Sequence, residues 1–189
     1  MKDVNIYMDR CKVQQCFQEL DYDFTDFNID HFMMYVQHLR QRKIISQPYP
    51  FSAGISGLWL ETRSVDFIFF QSRTHPIHQT HIRLHEVAHM LLDHPRKPIT
   101  QLLPPEMLKE LAQSDNRWCE MKGQLRSRVI NRRSDVYEEE AEYFVELIQG
   151  QVVKADRLQE LTRPGTSIRT LEPYIKGLPY APSNQSDLE

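Results

Sequence analysis

His85, Glu86, Val87, Ala88 and His89 form a His-Glu-x-x-His run. On a helix, residues four apart share a face, so both imidazoles can point at one ion while Glu86, one step on, flanks it. Zinc suits such a pair, because it accepts neutral imidazole nitrogen and keeps a position open for water in catalytic sites. Glu86 would take the proton of that water and pass it to a leaving group while the ion polarises a scissile carbonyl. With eight histidines in 189 residues, the pattern arises by accident in roughly one chain in forty. The plain alternative is two surface histidines on a helix that happens to contain a glutamate.

Two imidazoles hold an ion weakly, so a third protein ligand must lie downstream. The run Glu138, Glu139, Glu140, Ala141, Glu142 is the source, with small Ala141 permitting close helix approach. Glu138 is the leading ligand, and Glu139 or Glu140 replaces it if the helix is rotated. Glu142, one turn beyond Glu138, can accept a hydrogen bond from the second nitrogen of a ligand histidine and orient it. His81 and His78 precede His85 by four and seven positions and share its face, as contacts to substrate or to the ligands. Tyr137 is a candidate donor to an oxyanion. His94 follows His89 by five and lacks the spacing of the three-histidine zinc motif; it reads as a helix-end histidine interacting with the dipole. His75, beside Pro76, reads as a turn residue.

Several elements must position these groups. Apolar Ile29, Phe32, Met33, Val36 and Leu39 recur at helical spacing between Asn28 and Ile44. Gln47 to Pro50 is a breaker stretch. Ile55 to Glu61 and Val65 to Gln71 are apolar, aromatic runs separated by Thr62, Arg63 and Ser64, which predicts an antiparallel hairpin with Phe67 to Phe70 deeply buried. An exposed edge of that hairpin could hold an extended peptide, and Trp59, Phe69 and Phe70 read equally as core. Pro76 opens the His85 helix, which is expected to run through His94 until Pro95 and Pro98 stop it. Pro104 and Pro105 open a helix through Ala112. The last helix starts with Ser134 or Asp135 as cap, carries its acids at the N-terminal end, and exits at Gly150. Beyond Pro164 the composition is that of a tail.

Composition narrows the function classes. The chain carries 23 Lys plus Arg against 26 Asp plus Glu, a net charge of -3, so no global basic field holds a nucleic acid. Six cations against two acids between 115 and 133, among them Arg117, Lys122, Arg126, Arg128, Arg132 and Arg133, could engage nucleic acid locally, though a solvated surface explains them equally well. Cys11, Cys16 and Cys119 show neither metal spacing nor a disulfide framework, which fits a reducing cytoplasm. No apolar run is long enough to span a bilayer, and Met1 to Arg10 lacks the core of a signal peptide.

Asp66 to Gln71, then Thr80 to His94 (THIRLHEVAHMLLDH), then Glu138 to Leu147 (EEEAEYFVEL) resemble the ImmA/IrrE family of metallopeptidase domains, which has an apolar strand, a His-Glu-x-x-His helix and a Glu-x-x-Ala helix in this order. The resemblance covers roughly residues 28 to 150. It implies zinc at His85, His89 and Glu138, Glu86 as general base, and Ala141 as the small packing position. Mn²⁺ or Fe²⁺ would suit the same ligands. It further implies an α+β, zincin-like fold, with a small twisted antiparallel sheet packed on the active-site helix and on the ligand-bearing one. The expected organisation is one domain over 1–164, with an Arg-rich insertion at 96–133 and a tail at 165–189. Two departures stand out: Glu138 follows His89 by 49 positions, and Glu142 stands where related zinc peptidases often have Asp or Asn.

The expected function is a cytoplasmic zinc endopeptidase. Within the resemblance its target is a helix-turn-helix repressor, whose cleavage releases transcription in a stress or toxin-antitoxin setting. The competing expectation is a catalytically silent module of the same fold that docks a partner. Glu86 favours the enzyme, because a purely structural metal site has no need of a base there.

Overall fold

The computed structural model describes residues 8–51, 54–103, 105, 122–127 and 136–162. It is a mixed α+β fold built around one sheet. Its elements are α1 (Arg10–Gln18), α2 (Ile29–Arg40), β1 (Lys43–Tyr49), β2 (Ile55–Glu61), β3 (Val65–Gln71), α3 (Pro76–Leu91), β4 (Lys97–Pro98), α4 (Ile99–Leu102), β5 (Lys122–Ser127) and α5 (Val136–Thr162). The expected tail, the Pro104 to Ala112 helix apart from residue 105, and the caps Ser134 and Asp135 lie outside the described residues. Among the described residues no helix is long and apolar enough to cross a membrane.

The predicted hairpin is present. β2 and β3 pair antiparallel, and the Thr62 hydroxyl closes the turn by donating to Val65 O (2.7 Å) and accepting from Val65 N (3.0 Å). The sheet order is β1-β3-β2-β5-β4, with β1 parallel to β3 and β5 antiparallel to β2. The expectation of an antiparallel sheet therefore needs correcting to a mixed one, and the hairpin offers no free edge. Its outer flanks are taken by β1 and β5, and residues 122–127 of the supposed insertion are part of the sheet.

β1 replaces what reads as helix end and breaker. Gln41 adopts a left-handed φ of 51° and Arg42 N–H bonds back to Gln37 O (3.2 Å), which stops α2 at Arg40 and swings the chain into the sheet. Pro48 is tolerated because β1 is an edge strand, where a missing N–H breaks no ladder.

The sheet separates two apolar clusters. On one face Trp59 and Ile68 meet Val13 of α1, Phe32 and Val36 of α2, Leu84 and Val87 of α3, and Phe144 and Ile148 of α5. On the other, Leu58 and Leu60 meet Phe51, Ile99 and Leu103, with half-buried Phe67 and Phe69 against them. β3 thus alternates, with Asp66, Ile68 and Phe70 buried, so Phe67 to Phe70 is buried on one face rather than throughout. A register irregularity between Ile55 and Gly57 puts Ile55 with Leu58 and Leu60, as a bulge does when it reverses side-chain parity. The core also begins before residue 28: α1, which the sequence pattern does not announce, packs against α5.

Asp66 ties the sheet to the helices. Its fully buried carboxylate accepts from Arg42 Nε (3.0 Å) and Trp59 Nε1 (3.3 Å), and that hydrogen bond raises the Arg42 pKa further. Removing the carboxylate leaves both donors unpaired, so Asp66→Ala should lower the unfolding free energy by about 3 kcal/mol. A urea titration reads this directly, and an unchanged midpoint would refute the role.

Candidate metal centre

α3 starts at Pro76, after His75, whose ring accepts from Ile77 N (3.3 Å); His75 is a capping residue, as its place beside proline suggests. The helix stops at Leu91, before His94, because Asp93 takes a left-handed φ of 51°. Its last carbonyls are held from outside: Arg40 Nη1 donates to Met90 O (2.7 Å), Lys12 Nζ to Leu92 O (3.1 Å) and Cys16 Sγ to Leu91 O (3.7 Å). Cations at this end also suit the helix dipole. The C-terminal turn that carries His89 is therefore fixed by α1 and α2.

His85 and His89 are 2% and 1% exposed, which excludes the plain reading of two surface histidines. Their Nε2 atoms lie 3.0 Å apart. From α5, Glu138 completes a triangle, with Oε2 3.1 Å from His85 Nε2 and Oε1 3.4 Å from His89 Nε2. Atoms about 2.0–2.1 Å from one tetrahedral ion lie about 3.3 Å from each other. The three edges match that figure, so this group could hold a metal ion. Of the two alternative carboxylates, Glu139 is exposed, while Glu140 is buried and turned onto His94, with Oε2 3.1 Å from His94 Nε2. Ala141 of α5 is fully buried, in the same core cluster as Ala88 of α3.

Glu142 Oε2 lies 3.2 Å from His85 Nδ1, a carboxylate placed to accept Nδ1–H and so leave the Nε2 lone pair for an ion held in the triangle. Glu142 Oε1 is 3.2 Å from His81 Nε2, and Gln149 Nε2 donates to His81 Nδ1 (3.3 Å). The structure thus brings His81 and Glu142 together behind His85. The Tyr137 ring packs 5.1 Å from that of His94, and His78 is exposed.

The electrostatics favour positive charge in the triangle. Burial pushes the Glu138 carboxyl up, but hydrogen bonds from the His85 and His89 rings and their charge outweigh it, holding it well below the usual carboxylate range. The Glu138 side chain remains 37% exposed, so the centre has a dry floor of imidazoles and one edge open to water.

His94 is the residue that sequence reasoning undervalued. Rather than sitting at an exposed helix end, it is fully buried, and its Nδ1 is 2.7 Å from His89 Nδ1. Burial, then the charges of His89 and Lys12, push its pKa down to about 3. The available signal was the Asp-His pair just past the last helical turn, where a left-handed Asp returns the next residue to the helix end.

Glu86 is fully buried, pressed against β2. A Cβ on Gly57 would come within 2.7 Å of Ile82 Cγ2 and clash more severely with Glu86 Oε1. Glycine here makes room for the carboxylate between helix and sheet. Compared with family models, with curated proteins and with solved structures, the chain matches none.

Two outcomes follow from this geometry. Gly57→Ala should cost about 1–3 kcal/mol by overpacking and displace Glu86; a melting temperature equal to wild type would contradict the close fit. The folded His94 stays neutral down to about pH 3 while the unfolded ring titrates at its ordinary 6.5. The unfolded chain therefore takes up the proton first, and stability, intact above 6.5, falls as the pH drops from there towards 3. In chelator-treated protein the urea midpoint should decline between about pH 7 and pH 5, with a shallower decline in His94→Gln.

Proposed function

We propose that the chain is a zinc-dependent endopeptidase with a zincin-like arrangement of α3, α5 and the sheet. The observation that carries this reading is the triangle of His85 Nε2, His89 Nε2 and a Glu138 carboxylate with edges of 3.0–3.4 Å, set on a helix whose next residue after the first ligand is Glu86. A bound zinc ion supplies Lewis acidity, lowering the pKa of a water and polarising a carbonyl. The protein's own groups do the rest. His85 and His89 present lone pairs to the ion, and Glu138 contributes the negative charge that offsets part of its own. Glu86 accepts the proton that the attacking water loses as its oxygen bonds to the peptide carbonyl carbon. The same carboxyl then delivers that proton to the amine nitrogen as the C–N bond breaks.

A purely structural zinc site would be closed by four protein ligands, whereas among the described residues this group has three and an open edge. A regulatory protein, such as a helix-turn-helix repressor, is the proposed substrate on the strength of the sequence resemblance alone, and a cytoplasmic setting rests on the cysteine usage.

Elemental analysis of the full chain purified with zinc should find about one zinc per chain in wild type and in Glu86→Gln, and loss of zinc in Glu138→Gln. Hydrolysis of an unstructured protein such as casein should fall by about 10²-fold or more in Glu86→Gln. Absence of metal in wild type would sink the reading. Zinc retained without hydrolysis of any protein offered would move the weight to the silent docking module.

A further inference from the structure

We propose that His94 is a positioning residue for the metal centre: with Glu140 behind it, it sets the tautomer of His89 so that Nε2 presents a lone pair to the ion. The inference rests on the metal-centre reading given above and concerns a residue outside the ligand group.

Three observations carry it. First, the chain is turned for this contact. Asp93 is left-handed at 51°, and His94 N–H bonds to His89 O (3.1 Å), the six-to-one closure of a Schellman turn. That closure returns the His94 ring to the helix end it has just left. Second, the ring is fully buried and both of its nitrogens are engaged. Nδ1 faces His89 Nδ1 at 2.7 Å and Nε2 faces Glu140 Oε2 at 3.1 Å. Third, Glu140 is itself fixed, because its Oε1 accepts Asp9 N–H (3.1 Å) from the capping residue of α1.

Proton accounting links the three. A carboxylate only accepts, so His94 donates from Nε2–H to Glu140 and its Nδ1 is left as a lone pair. Two nitrogens 2.7 Å apart hold one proton between them, and that proton must then belong to His89 Nδ1. In a neutral His89 ring that proton on Nδ1 leaves Nε2 as the lone pair that can ligate. With the opposite tautomer at His94, His89 would be driven to carry its proton on Nε2, where the ion belongs.

The two ligand histidines are therefore oriented differently. His85 reaches its carboxylate directly, at Glu142, which is 42% exposed. His89 reaches Glu140 through an interposed neutral imidazole, wholly inside the protein. The relay also ties the start of α1 to the metal centre through a single backbone N–H.

The test compares zinc affinity, by competition with a chromophoric chelator, in the full-length wild type, His94→Leu and His94→Gln. Far-UV circular dichroism confirms that each is folded. Leucine removes both hydrogen bonds, whereas the glutamine amide again offers one acceptor and one donor. His94→Leu should bind zinc about 10- to 100-fold more weakly, and His94→Gln should recover most of the loss. In zinc-loaded protein, a downfield imidazole N–H resonance from His89 should be present in wild type and His94→Gln and absent in His94→Leu. Wild-type affinity in His94→Leu, or no recovery in His94→Gln, overturns the role of His94 while leaving the centre standing. A wild type that binds no zinc removes both.

Discussion

Where α3 meets α5, the Nε2 atoms of His85 and His89 and the carboxylate of Glu138 are gathered within 3.0–3.4 Å of one another. Groups this close must either share protons among themselves or surround a cation, and packing and hydrogen bonds from other parts of the chain hold them together. Much of the surrounding structure can be understood as meeting that demand. Glu142 lies against the outer nitrogen of His85, and the His94–Glu140 pair lies behind His89. Ala88 of α3 and Ala141 of α5 are both fully buried in the core that these helices share.

The same demand explains the attention given to one end of α3. Side chains from α1 and α2 supply donors to the carbonyls of Met90, Leu91 and Leu92, groups that a helix end would otherwise leave to water. The helix is pinned at the turn carrying His89, while the opposite side is seated on β2, where Gly57 admits Glu86. The sheet is anchored in turn through buried Asp66, which joins Trp59 to Arg42 just past the end of α2. Glu86, His85, His89 and His94 thus share a continuous buried framework, and the Glu138 and Glu142 side chains reach the solvent-exposed edge.

Local periodicity is why so much of the candidate site was legible in the amino-acid order. A four-residue interval on a helix forces His85 and His89 onto one face, and two β-rich runs flanking Thr62, Arg63 and Ser64 pair as a hairpin under almost any tertiary arrangement. What resisted reading was non-local. The choice among Glu138, Glu139 and Glu140 depends on the rotation of α5 about its own axis, which its packing against α3 and α1 decides. Glu140 proves to face His94, a residue 46 positions away. β1 has a proline and polar residues, and becomes a strand because β3 offers it a parallel edge. β5 joins through pairing with β2 across more than sixty residues. The last helix passes through Gly150 to Thr162, since a glycine costs a helix only about 1 kcal/mol, and contacts such as buried Ile148 and half-buried Val152 and Ala155 outweigh it. Residue identity and short-range spacing settle which groups can do chemistry. Tertiary packing alone settles which carboxylate turns inward and where each proton sits, because both depend on contacts between segments distant in the chain.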